Sequence, residues 1–312
     1  MNASSRAGEI LIATQRRGLL LAGLGAVAFS GKAIIVKLAY RHGVDAVTLI
    51  MYRMLFALPL FVLLAWWAGR GRPALTWRDV RAILGLGFCG YYLSSFLDFA
   101  GLSYISASLE RLILYLNPTL VLGLGALLFH KAVTRAQLLA LAVSYGGVLC
   151  VFGREMSLQG PNVPLGATLV FLSAVSYAIY LSYSGEEVKR VGALRLTGLA
   201  TSVACLICIV QFLVLRPVSA MIVPVEVLWL SLLNATLCTF APVIMVMLAI
   251  ERIGASLTSQ AGTIGPLSTI LMAVVLLGEP FTVWVALGTV LVLAGIWLLT
   301  KSQPNPLPQN SP

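Results

Sequence analysis

Ten stretches of the chain are nearly unbroken apolar sequence, each bounded by charge or by Gly/Pro breakers: 18–40, 45–67, 79–101, 105–128, 134–153, 163–185, 194–215, 226–250, 254–277 and 281–300. A helix that crosses a bilayer needs about 20 mostly apolar residues, so each stretch has the length of one span. The pattern predicts an all-α integral membrane protein of ten transmembrane helices. The first stretch follows Arg16 and Arg17 as a secretory signal would, but it runs too long, carries Lys32 and lacks a small-residue cleavage site. What lies between the spans is short. Residues 1–17 form an N-terminal segment, and the Pro/Asn-rich tail 301–312 is expected to be disordered.

Composition agrees with the pattern. Over 312 residues, 59% are hydrophobic and 10% charged, with a mean hydropathy of +0.96. That leaves too little polar surface for a water-soluble globule and no length for a soluble catalytic domain. The formal net charge of +10 would suit a nucleic-acid binder, but the positions of the 21 Lys and Arg argue otherwise. With the N-terminus inside, 14 of them fall in cytoplasmic segments, Arg41, Arg154 and Arg216 fall outside, and Lys32, Lys37, Arg53 and Arg111 lie within spans. This asymmetry orients the chain with both termini cytoplasmic, in a bacterial-type inner membrane. Membrane lipid, not nucleic acid, is the expected partner of the basic residues. All five cysteines fall in spans, where they act as small packing residues. Cys205-x-x-Cys208 has no second pair or histidine near it in sequence, so no metal or cofactor is expected.

Shifting the chain by 148 positions aligns Ile105-Ser106-Ala107-Ser108-Leu109 with Ile253-Gly254-Ala255-Ser256-Leu257, Pro118 with Pro266, and Gly147 with Gly295. The repeat divides the chain into 18–153 and 163–300, five spans each. An odd number of spans makes the second copy enter the membrane from the opposite side. Two inverted repeats are the plan by which many carriers build two related conformations.

These residues resemble the drug/metabolite transporter superfamily, in particular its EamA-type branch of ten-span carriers. The blocks that carry the likeness are Tyr104-Ile105-Ser106-Ala107-Ser108-Leu109 with Asn117-Pro118, and Gly254-Ala255-Ser256-Leu257 with Gly265-Pro266 and Gly278-Glu279-Pro280. Phe129-His130-Lys131, where the first half would carry its counterpart of that last motif, departs from the family pattern. The Tyr91–Asp98 stretch looks most like YddG-type exporters of aromatic and other amino acids. The resemblance implies export of small metabolites by alternating access through a cavity between the repeats.

An ionisable side chain within a span is costly against lipid and therefore faces the interior. Lys32 lies roughly 4.5 Å from the midplane at 1.5 Å per residue, placed to meet a substrate carboxylate or a buried acid. Lys37 is expected to snorkel outward. Arg53 reads as structural, bonding carbonyls or an acidic neighbour. Gly87, Tyr91, Ser94, Ser95 and Asp98 share one helical face, which lines the cavity or packs helices. The expected cavity residues are Lys32, Tyr91, Ser95, Asn117, Tyr177 and Tyr180. Asp98, Glu110 and Arg111 read as an outer gate or ion pair, and Ser259 with Gln260 as its inner counterpart. Pro118 and Pro266 sit near mid-span, where a missing donor kinks the helix and suits a hinge, though packing kinks read the same way. Phe29 and Tyr92 are expected in the core, and His42 and His130 in solvent.

No catalytic residue is expected. HExxH, Walker and GxSxG motifs are all absent from the sequence, which argues against an enzyme. A channel would show a filter loop or rings of like residues. The expected partner is a small-molecule substrate, an amino acid or similar metabolite. The alternative of phosphorylated or nucleotide-linked substrates or drugs would call for more deep cations than Lys32 and Arg53.

Overall fold

The computed structural model describes residues 3–130, 133–159, 161–262 and 264–301, and among them the chain is helical throughout. Among the described residues nine helices are long and apolar enough to cross a membrane: α1 (Thr14–Tyr40), α2 (Ala46–Gly69), α3 (Trp77–Leu102), α4 (Ala107–Leu128), α5 (Arg135–Ser157), α6 (Val163–Gly185), α7 (Ala193–Leu215), α8 (Val225–Ile250) and α10 (Val283–Lys301). A shorter apolar helix, Ile264–Leu277, is α9. The protein is a multi-pass membrane protein of ten helices. Lys131 and the tail 302–312 lie outside the described residues.

Between the eighth and ninth spans, helix Ala241–Gly262 passes through non-helical backbone at Gly254 (φ 79°), and Ile264–Met272 follows beyond residue 263, which lies outside the described residues. Positive φ at Gly254 needs a residue without a Cβ. The fourth span differs from the expectation of one continuous helix: it is broken into α4a (Ala107–Leu114) and α4b (Asn117–Phe129). Pro118 therefore does not kink a continuous helix. Pro118 sits in the first turn of α4b, where its missing N–H leaves no bond unmade. The Leu114 carbonyl at the break accepts from Asn117 Nδ2 at 2.8 Å.

The repeat symmetry shows in wide π-type turns at Gly87–Leu93 in α3 and Thr236–Phe240 in α8. Such turns free a carbonyl and re-aim the side chains that follow. Here Cys89 O accepts from Ser176 Oγ (2.8 Å) and Asn234 O from Thr239 Oγ1 (2.8 Å).

The principal contacts run between repeats: α1 lies along α8 and its mate α6 along α3, while α2 meets α7, α4 meets α9 and α5 meets α10. The α5–α10 seam is made by glycine, since a Cβ on Gly288 would come within 2.7 Å of the Gly147 carbonyl oxygen. Small residues let backbones approach closely where lipid supplies no hydrophobic drive. The largest core cluster, including Ile50, Met54, Phe61 and Phe99, lies between α1, α2, α3 and α7. It forms a rigid wall beside the polar centre.

Candidate functional site

Two connected cavities occupy the centre. One, about 330 Å³, is lined by Lys32, Arg53, Ser94, Ser95, Asp98 and Thr201 among others. The second, about 620 Å³, shares Phe29, Tyr91, Arg111, Tyr115, Asn117 and Tyr177 with it. It continues past Tyr180, Leu181, Ser184 and Thr258 toward the face that bears the chain termini. A third space of about 920 Å³ forms a vestibule on the opposite, distal face, lined by Lys37, Arg41, Asp45, Arg216 and Glu279.

The distal side is closed between centre and vestibule. Lys32 Nζ lies 2.6 Å from Asp98 Oδ2 and 3.5 Å from Glu110 Oε1, with all three residues buried. Tyr40 Oη donates to Phe99 O (2.5 Å) and Arg41 Nη2 to Leu277 O (2.7 Å). At the N-terminus of α4a the Glu279 carboxylate accepts from Ala107 N (2.7 Å), Ser108 N (3.2 Å) and Ser108 Oγ (2.7 Å). Glu155 accepts from Ser106 N at 3.2 Å and from Ser106 Oγ. A carboxylate at a helix N-terminus satisfies orphan donors and complements the helix dipole. Glu279 thus ties the second repeat to the first.

The vestibule rim holds a titratable pair that lies outside the spans. Asp45 caps α2 by accepting from Val47 N (3.0 Å), and Arg216 lies 3.2 Å away. Hydrogen bonds from Thr48 and Arg216 hold the Asp45 carboxyl below its ordinary range despite the opposing effect of partial burial.

The break in α4 brings its residues to the centre. Arg111, in the last turn of α4a, donates to Ser30 Oγ at 3.2 Å, and a Cβ on Gly265 would lie 2.7 Å from Arg111 Nη2. Tyr115 Oη donates to Gly262 O at 3.0 Å. The guanidinium of Arg111 stacks 5.5 Å from both the Phe29 and Tyr115 rings, and Lys32 Nζ also lies 5.5 Å from Phe29. Arg53 donates to Thr239 Oγ1 at 3.2 Å and lies 5.1 Å over Phe99. Toward the terminal face Tyr91 and Tyr180 share a hydroxyl contact of 3.0 Å, and Tyr177 stacks on Tyr180.

Lys32, Tyr91, Ser95, Asn117 and Tyr177 all line the smaller cavity, and Tyr180 lines the larger. Asp98 pairs with Lys32, and Glu110 lies behind them. The side chains of Ser259 and Gln260 lie outside the described residues. Three placements differ from the sequence expectation. Arg111 is a cavity residue and not a distal one, because the helix break ends α4a at the centre. Arg53, expected to bond carbonyls or an acidic neighbour, bonds Thr239 and lies over Phe99 with Asp98 as its acidic neighbour, and it too lines the cavity. Phe29 is 39% exposed on the cavity wall. Glu155 and Glu279 carried no sequence signal as a pair, although the Gly278-Glu279-Pro280 motif marked one of them. The charges belong to one repeat: Lys32 corresponds to Tyr180 and Arg53 to Thr201. Five cysteines are free, and among the described residues no cluster suits a metal.

The EamA-like transporter family matches this chain twice, over 16–153 and 164–301. An uncharacterized transporter YcbK of Bacillus subtilis is 31% identical over 269 residues, covering 84% of this chain and 86% of that protein. A second from the same organism, YetK, is 22% identical over 310 residues, covering 97% and 93%. One solved crystal structure superposes with a TM-score of 0.60 at 18% identity over 91% of this chain and 96% of its own, a likeness of fold.

Proposed function

This chain belongs to the EamA-like transporter family, and from that premise we propose that it exports amino acids, aromatic ones among them, by alternating access through the central cavity. The observation that supports this reading is a set of buried polar atoms of both signs without hydrogen-bond partners among the described residues. Arg53 Nη1 and Arg111 Nε are unmet donors, while Asp98 Oδ1 and Asn117 Oδ1 are unmet acceptors. All four residues line the 330 Å³ cavity, a volume at the low end of small-molecule sites, about 300–1,000 Å³. A zwitterion offers a carboxylate to the guanidinium groups and an ammonium to the oxygens, and its side chain lies against Phe29, Tyr115 and Tyr177. Unpaired buried groups are expensive, so a ligand that completes them binds selectively.

A carboxylate among the cations favours this substrate over organophosphates: Asp98 lines the cavity beside Lys32 and leaves Oδ1 free to accept an ammonium, where a dianionic phosphate would meet repulsion. The resemblance of Tyr91–Asp98 to YddG-type exporters points the same way. The basic asymmetry supports an inner-membrane location with cytoplasmic termini, so the cavity here opens to the cytoplasm, the side from which an exporter loads. Purified protein in liposomes preloaded with one amino acid is expected to drive counterflow of labelled amino acids, aromatic ones included. Sugar phosphates should not compete. Counterflow of an organophosphate with none of any amino acid would overturn the assignment.

A further inference from the structure

Half-helix α4a stands between two wet spaces. Ser106 lines the distal vestibule with Glu279, and Arg111 lines the central cavity. Glu110 lies between them, about one helical turn from Ser106. It is fully buried, and neither oxygen accepts a hydrogen bond among the described residues. Its nearest cation is Lys32 Nζ at 3.5 Å, already 2.6 Å from Asp98. The Asp98 and Glu110 carboxyls thus meet at one ammonium. One ammonium does not neutralise two carboxylates in a low dielectric, and carboxyls that face each other share the site comfortably only when one holds a proton.

The remaining charges near Glu110 do not supply the missing partner. Arg111, next on its own helix, bonds Ser30. Helix α1 adds Lys37 at the vestibule, and α5 adds Arg154 and Glu155, of which Glu155 is engaged by Ser106. From α3 comes only Asp98. Helix α6 brings tyrosines 177 and 180 at the cavity, the 264–277 helix brings no titratable residue, and α10 brings only Lys301 at its far end.

We propose that Glu110 is a proton-binding site, loaded from the distal vestibule past the Glu155 and Glu279 carboxylates and emptied through Asp98 into the central cavity. A proton from vestibule water forms an O–H bond on Glu110 while the distal side is open. The neutral acid then tolerates burial beside Asp98, Lys32 pairs with Asp98 alone, and the distal side closes. Passage of that proton to Asp98 Oδ1 and on to cavity water leaves two carboxylates competing for Lys32, which loosens the closure as substrate departs. One proton thus moves inward for each substrate moved outward. The inference rests on the carrier reading but not on its amino-acid substrate.

Infrared difference spectroscopy of the purified protein across a pH titration tests the site without any substrate. Wild type is expected to show the C=O band of a buried protonated carboxyl at neutral pH. The band should be lost in Glu110→Gln, kept in Glu155→Gln, and lost in Asp98→Asn, where Lys32 is left to pair with an ionised Glu110. Counterflow in the same preparations separates the two readings. A protonated-carboxyl band with no amino-acid counterflow supports the site and sinks the substrate assignment. Counterflow with no such band in wild type, or a band that survives in a folded Glu110→Gln protein, overturns the proton site and leaves the carrier reading standing. Where Glu110→Gln fails to fold, the Asp98→Asn spectrum decides, and a persisting band there refutes the proposal.

Discussion

Lys32 holds Asp98 and Glu110 together, with all three residues buried. Removing one partner of a buried ion pair leaves an uncompensated charge, at a cost of about 3–5 kcal/mol. Lys32→Met is therefore expected to lower thermal stability in detergent, and the double variant Lys32→Met/Asp98→Asn to recover most of the loss, because the pair is removed whole. If Lys32 also serves the cycle, the double variant stays inactive in counterflow. Full activity would assign Lys32 to the fold alone. Lys32 and Asp98 stood out in the sequence because each is a lone charge in an apolar span. The depth of Arg111 did not, because it depends on where α4a stops, and Asn117-Pro118 reads equally as a kink within one helix or as the start of a second. Arg53 and Phe29 were hidden for a different reason. Cavity wall and packed core draw on the same residue types, and only the wide turn that carries Thr239 aims a partner at Arg53.

At the scale of elements, the break in α4 brings Arg111 to the cavity. Pro118 opens the second half of its span and Pro266 is its repeat-mate, so replacing either restores a backbone donor that its span lacks. Pro118→Ala and Pro266→Ala are expected to shift the balance between the two access states in opposite directions. A few kcal/mol at either proline changes populations about tenfold or more. Maleimide labelling of single cysteines near Ser95 and near Ser259 reads the shift, and equal movement in both variants would make the prolines simple packing features. Glu279 gives a complementary test. Glu279→Gln keeps the shape but weakens three charge-assisted contacts to α4a, so residues lining the vestibule should label faster in it than in wild type. Unchanged labelling would show that the contact caps a helix without holding the closure. The repeat itself was legible in the paired motifs, and so were the spans, most of them to within a turn. The break in the fourth span was not, because apolar sequence looks the same on both sides of it.

At the scale of the molecule, ten helices exchange their principal contacts between repeats, so neither half buries its inner surface alone. The odd number of spans per repeat inverts one half against the other and sets both termini on one face. Cysteines placed singly in the 154–162 segment and in the C-terminal tail are expected to label from opposite sides of the membrane with an impermeant maleimide, and labelling from one side would refute the ten-span topology. Transport by this route requires substrate to occupy the central cavity. The most direct measurement is the modification rate of Ser95→Cys, in a background without the five native cysteines, with reagent supplied at the terminal face and amino acid added or withheld. The position lines the 330 Å³ cavity, so it is expected to react from the terminal face and to be protected by each transported amino acid at the concentrations that saturate counterflow. Modification that continues undiminished while counterflow is saturated would place the substrate elsewhere and contradict the account.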